Sequence, residues 1–179
     1  MRVPCVVRWP GKIPAGKTND ELCTTMDLLP TFAKLAGAKP PSDRIIDGKD
    51  VRPLLFAAEK ARSPHEAFYY YHTNQLHVVR SGRWKLHLPS PAKQTNLRGD
   101  TRPAKAMLYD LATDIGETTN VADKHPQVVK RLLALGEKAR VDLGDGSKKG
   151  KNQRPVGRVE NPSPRVISPA KSARDGSMP

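Results

Sequence analysis

Three of the five histidines, His72, His77 and His87, fall in one aromatic-rich stretch of the chain. Imidazoles serve as general bases near neutral pH and as ligands for zinc and its neighbours. On strands, however, the five-residue step from His72 to His77 puts the two rings on opposite faces of a sheet, and no cysteine or acidic residue completes a ligand set. Asp110, Asp114 and Glu117 crowd one segment but lack the alternate-position carboxylates of a calcium-binding loop, so they predict a hydrogen-bonded turn. The two cysteines cannot build a disulfide framework, and Cys5 lies in an apolar run where a buried, inert thiol is expected. No Gly-rich phosphate cradle, serine nucleophile elbow or Cys/His pair at a recognisable spacing is present. Read from its residues alone, the chain carries neither a catalytic constellation nor a metal site.

The elements around these residues follow from hydrophobic pattern and turn chemistry. Val3-Pro4-Cys5-Val6-Val7-Arg8-Trp9 is a continuous apolar run stopped by Pro10-Gly11, which predicts a strand covered on both faces, as in a parallel sheet. After a polar connection, residues 27–37 predict a short helix with Asp27 as N-cap and Pro30 among the N–H positions that have no intrahelical partner. Leu28, Phe32 and Leu35 then share the face expected to be buried, and Gly37 provides the left-handed stop. Residues 38–66 are loop-like. An antiparallel meander follows, with strands predicted at 67–71, 76–80, 83–88 and 107–110. A helix opening at Pro126, striped by Val128, Leu132, Leu135 and Ala139 and closed by Gly144, is the element expected to cover it.

A length of 179 residues with 37% hydrophobic and 5% aromatic content allows one modest core and excludes a large multidomain enzyme. The 31 basic and 18 acidic side chains give a net charge of +13, which raises a polyanion as partner. The charge is concentrated: Lys148, Lys149, Lys151, Arg154, Arg158, Arg165, Lys171 and Arg174 face only Glu160 and Asp175 after residue 146. With its prolines and few aliphatics, this stretch predicts an extended, mobile tail. No run approaches the roughly 20 apolar residues that span a bilayer, nor is there a secretory signal.

The order of five strings, each weak alone, resembles the C-terminal part of a sulfatase of the arylsulfatase type. They are Arg2-Val3-Pro4-Cys5-Val6-Val7-Arg8-Trp9-Pro10-Gly11-Lys12-Ile13, Asp27-Leu28-Leu29-Pro30-Thr31, Asp47-Gly48-Lys49-Asp50-Val51-Arg52-Pro53-Leu54-Leu55, Arg80-Ser81-Gly82-Arg83-Trp84-Lys85-Leu86, and Leu108-Tyr109-Asp110-Leu111 with Gly116-Glu117-Thr118-Thr119-Asn120. The resemblance covers about residues 1–145, and the stretch from Asn152 to Pro162 is similar to the C-terminal extension of bacterial members. It implies an α/β fold, an incomplete alkaline-phosphatase-like sandwich. Residues 1–62 would be the end of the large domain, with the terminal strand and helix of its sheet. Residues 63–146 would be a small α+β subdomain of antiparallel meander and C-terminal helix, and 147–179 a basic, proline-rich mobile tail.

The same resemblance implies a formylglycine nucleophile made from cysteine in Cys-x-Pro-Ser-Arg, beside a calcium ion. Neither motif is here, since Cys5 is followed by Val6-Val7-Arg8 and Cys23 by Thr24-Thr25-Met26. The chain is expected to begin just after the last catalytic motif, with Met1 where relatives have an internal hydrophobic residue, as in a truncated reading frame. As an isolated chain it is expected to be inactive. The implied partner is a separate N-terminal catalytic portion, with a sulfated substrate, no membrane and no nucleic acid. The full-length family implies a periplasmic or secreted location. His72, Asn74 and Gln75, in the turn between the first two meander strands, are the implied substrate-binding residues, and Arg2 is implied to hold the segment before it. A different class of reading rests on charge alone: a small basic module binding nucleic acid or sulfated polysaccharide through the tail.

Overall fold

The computed structural model describes residues 3–90, 105–154 and 160–161. Three helices and two sheets are laid out in chain order: α1 (Leu28–Leu35), α2 (Arg52–Leu55), β1 (Phe68–His72), β2 (Gln75–Ser81), β3 (Trp84–His87), β4 (Met107–Asp110), α3 (Pro126–Leu143), β5 (Gly144–Asp145) and β6 (Lys148–Lys149). Short 3-10 turns precede α1 and α3. The meander is as expected: β1 to β4 form one antiparallel sheet in sequence order, and β5 pairs with β6 in a separate hairpin.

Cross-strand register decides which side chains face the core. The row Tyr69, Val79, Leu86 and Leu108 runs across all four strands, and it faces α3. Val79, Leu86, Leu88, Leu108 and Leu132 are essentially inaccessible to water, and with Leu135 and Ala139 they form one continuous cluster. Burying each leucine in such a cluster is worth about 2 kcal/mol. The α3 stripe read from sequence is therefore the face that packs, and Pro126 opens the helix where its missing N–H costs nothing.

Two core residues on β2, Leu76 and Val79, are three positions apart, which a regular strand cannot bring to one face. The register resolves this. Tyr70 pairs with Val78 but Tyr71 pairs with Leu76, so His77 is the extra residue of a β-bulge.

The first 60 residues are built differently. Val3–Trp9 forms no strand, and its apolar side chains are exposed, Val6 at 94% and Val3 at 79%. The expected strand covered on both faces is thus not made: a parallel-sheet strand needs hydrogen-bonding neighbours, and the described residues supply none. Cys5, expected to be buried, is exposed with it.

Helix α1 forms as read and ends in the left-handed turn at Gly37 (φ 71°), where Ala38 N–H bonds Ala33 O and Gly37 N–H bonds Lys34 O. Its buried face, however, is turned away from the one expected, of which only Leu35 is partly buried. Asp27, Pro30 and Thr31 are buried, whereas Leu28, Leu29 and Phe32 are 41 to 56% exposed. The polar face is turned inward because its acceptors meet backbone donors. Asp27 accepts from Thr24 N–H at 2.7 Å and Lys49 N–H at 2.7 Å, and Thr31 Oγ1 accepts from Val51 N–H at 3.0 Å. Gly48 permits this approach, since a Cβ there would sit 2.0 Å from Met26 O.

Residue 147, the expected start of a mobile tail, lies instead inside the β5–β6 hairpin, which returns the chain to the end of α3. Lys151 N–H bonds Val141 O and Asn152 N–H bonds Asp142 O, both at 2.9 Å, and Arg154 pairs with Asp47. Gly144 and Gly150 make the close return possible, because a Cβ on Gly144 would collide with Lys148 O and one on Gly150 with Gly144 N and Asp142 O. The rest of the tail, 155–159 and 162–179, lies outside the described residues, as does Arg2.

Candidate functional site

His72, Asn74 and Gln75 sit at the tip where β1 turns into β2, and the structure brings them together with a second turn that the sequence did not reveal. His72 and Asn74 are exposed and Gln75 is half-buried. Thr73 occupies the left-handed region at φ 55°, a strained conformation for a β-branched residue. The strain is held by the β5–β6 turn. Asn74 Nδ2 donates to Gly146 O and Gly146 N–H donates back to Asn74 O, each at 2.8 Å. Tyr71 Oη donates to Gly144 O at 2.8 Å, and Asp145 accepts from Leu76 N–H at 2.9 Å and from Arg140 Nε at 2.7 Å. The two turns form one surface, to which β6 adds the exposed Lys148 and Lys149.

The bulge also overturns the opposite-face reading of the histidines. With His77 as the extra residue, its ring comes to 5.6 Å from that of His72, edge to face. The three-residue spacing of Leu76 and Val79 was the one sequence signal that could have shown it.

His87 belongs to a different group, on the sheet face away from α3. Its Nε2 lies 2.8 Å from Glu117 Oε2, and Glu117 also pairs with the buried Lys85. Lys85 Nζ stands 5.4 Å over the Tyr70 ring and His87 lies against Tyr109. Burial pushes the Glu117 carboxyl up, but the hydrogen bonds from Lys85 and His87 outweigh it and hold the group below its ordinary value. Glu117 reaches this position from a residue at φ 57°, next to the turn in which Asp114 accepts the Thr118 and Thr119 amides at 2.8 Å. The acidic segment is thus a hydrogen-bonded turn, as its spacing indicated, with Asp110 ending β4 and paired to Arg83 and Glu117 reaching back to Lys85 and His87 on the sheet.

A fourth pair, also unread in sequence, joins the two halves of the chain. His65 Nε2 lies 2.8 Å from the fully buried Asp27 Oδ1.

These residues do not fit a formylglycine or a calcium ion. Cys5 and Cys23 are exposed thiols without the Pro-Ser-Arg that must follow, and burial of part of its surface pushes Cys23 up, away from the reactive thiolate. Among the described residues no group of three His, Cys, Asp or Glu side chains could hold a metal. No helix among them is long and apolar enough to cross a membrane.

Comparison with known proteins places this arrangement. A family model described as N-sulphoglucosamine sulphohydrolase, C-terminal, matches residues 1–138. The chain belongs to this sulfatase C-terminal family. Steryl-sulfatase of Mus musculus is 34% identical over 166 residues, 80% of this chain and 26% of the relative. Steryl-sulfatase of Homo sapiens is 50% identical over 80 residues, 45% of this chain and 14% of the relative. A sulfatase domain of the same build occurs in a solved structure from work on glycosaminoglycan metabolism by Bacteroides thetaiotaomicron, at 28% identity and TM-score 0.58 over 75% of this chain and 28% of that one. A structure solved with its substrate D-glucosamine-2-N,6-O-disulfate matches at 25% identity and TM-score 0.52, over 74% of this chain and 27% of that one. The neighbours have the alkaline-phosphatase-like fold, of which this chain is the C-terminal part. It spans between 14% and 26% of the length of these curated relatives.

Proposed function

We propose that the chain is the C-terminal portion of a sulfatase that hydrolyses an aryl sulfate or a sulfated carbohydrate, with the chemistry supplied by an N-terminal catalytic portion. On this reading formylglycine and calcium belong to that portion, and the complete enzyme works in the periplasm or outside the cell. This chain's contribution is to complete the large sheet with residues 3–9 and α1, and to present the His72–Gln75 turn to the substrate cleft.

The observation that carries the reading is the uncovered apolar face. Val3, Val6, Val7, Trp9, Leu28, Leu29 and Phe32 are all more than 40% exposed. Such a patch marks a surface that another part of the protein covers. The strained Thr73 beside His72 supports placing the substrate there, since backbone strain gathers where function requires it.

Two measurements test the proposal. The purified 179-residue chain should give no aryl-sulfate turnover above a heat-killed control, and turnover would refute the division of labour. In a sulfatase carrying this portion, His72→Ala should raise KM with less effect on kcat, as expected for a residue that binds rather than reacts. An unchanged KM would remove His72 from the cleft.

A further inference from the structure

We infer that the fused β1–β2 and β5–β6 turns form a binding subsite for a sulfated saccharide chain, with Lys148 and Lys149 as its cations. The inference rests on the reading that the His72 turn faces a sulfate-ester substrate, and it concerns a different ligand contact: a sulfate other than the one hydrolysed.

The geometry sets the distribution of charge. Among the described residues the carboxylates of the α3 end and the hairpin are engaged: Asp145 by Leu76 N–H and Arg140, Glu137 by Arg140, and Asp142 by Asn152. Lys148 and Lys149 are exposed, and among the described residues no ion pair engages either one. The acidic groups beside the hairpin are thus paired with donors of the fold, Asp145 by a backbone amide and a guanidinium, while the two lysines face water.

Position does the rest. The reciprocal 2.8 Å bonds between Asn74 and Gly146 fix the hairpin beside His72 and Gln75. Lys148 is opposite Asp145 and Lys149 opposite Gly144, so both cations stand on the short strand paired to the residues that Tyr71 and Leu76 hold. A lysine ammonium is a compact point charge with rotatable donors, suited to a sulfate whose orientation varies. On this inference a ligand with one ester at the His72 turn carries a second anionic group at the hairpin, as a saccharide with more than one sulfate does.

Labelled heparin is the probe, titrated into the full 179-residue chain over a range of salt. K148E/K149E should weaken binding at least about tenfold and lower the slope of log affinity against log salt by about 2, one for each lost contact. K12E/K17E, which makes the same change in net charge at exposed lysines remote in sequence from the hairpin, should leave the slope within about 0.5 of the parent. All four lysines are exposed, so circular dichroism should be the same for each variant. Equal losses in the two double variants would overturn the subsite, because net charge would then be the whole cause. So would the absence of heparin binding in the parent. A DNA duplex that binds as tightly and loses as much in K148E/K149E would overturn the saccharide assignment. If heparin binding is indifferent to the hairpin while His72→Ala raises KM in the complete enzyme, this inference fails and the cleft reading stands. The converse result separates them the other way.

Discussion

Helices α1 and α3 are both amphipathic, and they bury opposite kinds of face. α3 turns Leu132, Leu135 and Ala139 onto the sheet and its charged side chains to water. α1 turns Asp27 and Thr31 inward and leaves Leu28, Leu29 and Phe32 outside. The difference lies in what the chain itself offers each helix. For α3 the four-stranded sheet provides an apolar surface of matching size. For α1 it provides only backbone amides from the loop at Lys49 and Val51, which pair with a carboxylate and a hydroxyl. One half of the molecule is stabilised by burying hydrocarbon. The other half buries less of it, chiefly Leu22, Val51 and Leu54, is pinned by buried hydrogen bonds at Asp27 and Thr31, and leaves Leu28, Leu29 and Phe32 of α1 exposed.

The contrast is most exposed to failure at Asp27. Asp27→Ala strips the acceptor from two backbone amides and from His65 at once, and should cost about 3–5 kcal/mol in denaturant unfolding with faster hydrogen exchange at the Lys49 amide. A loss below about 1 kcal/mol would mean that the first half is not a folded unit in this chain. Leu132→Ala should cost about 3 kcal/mol through the cavity it leaves under the sheet, and it should not change exchange at Lys49. Coupling between the two sites would erase the distinction between the halves.

Acid should act on both halves in the same direction. The Arg52 hydrogen bond lowers Asp50 to about 2, and Glu117 is also held below its ordinary value. A depressed carboxylate contributes stability above its unfolded pKa of roughly 4 and loses it as pH falls through the folded value. The melting temperature should therefore fall between about pH 5 and pH 2, and Asp50→Asn should flatten part of that slope. The smallest effect separates the halves most sharply. Phe32→Ser should change the stability of this chain by no more than about 1 kcal/mol, because more than half of the side chain is already exposed. In a sulfatase that covers the face, the same substitution should cost several-fold more, as truncating a buried aromatic does.

Much of the second half was legible. Period-two apolar runs separated by Asn and Gly turns, followed by a proline-opened stripe, specify β1 to β4 and α3 because each periodicity fits one geometry. Two things there were not: the bulge at His77, which inverts a side-chain face, and the hairpin at 144–149, whose lysines read as the beginning of a tail. Both depend on contacts between residues distant in sequence, Asn74 with Gly146 and Leu76 with Asp145. The candidate site was found only at one of its two turns for the same reason.

By itself the sequence determined the family, the order β1 to β4 then α3, and the absence of a nucleophile motif, since these rest on residue identity and local spacing; it did not show that 3–9 forms no strand or that α2 and the β5–β6 hairpin form. Only the tertiary structure decided which face of α1 is buried, where His77 points and which lysines stand beside the His72 turn. A pattern of apolar positions states that a face must be covered but not by what, and the cover is set by the surfaces that folding brings within reach.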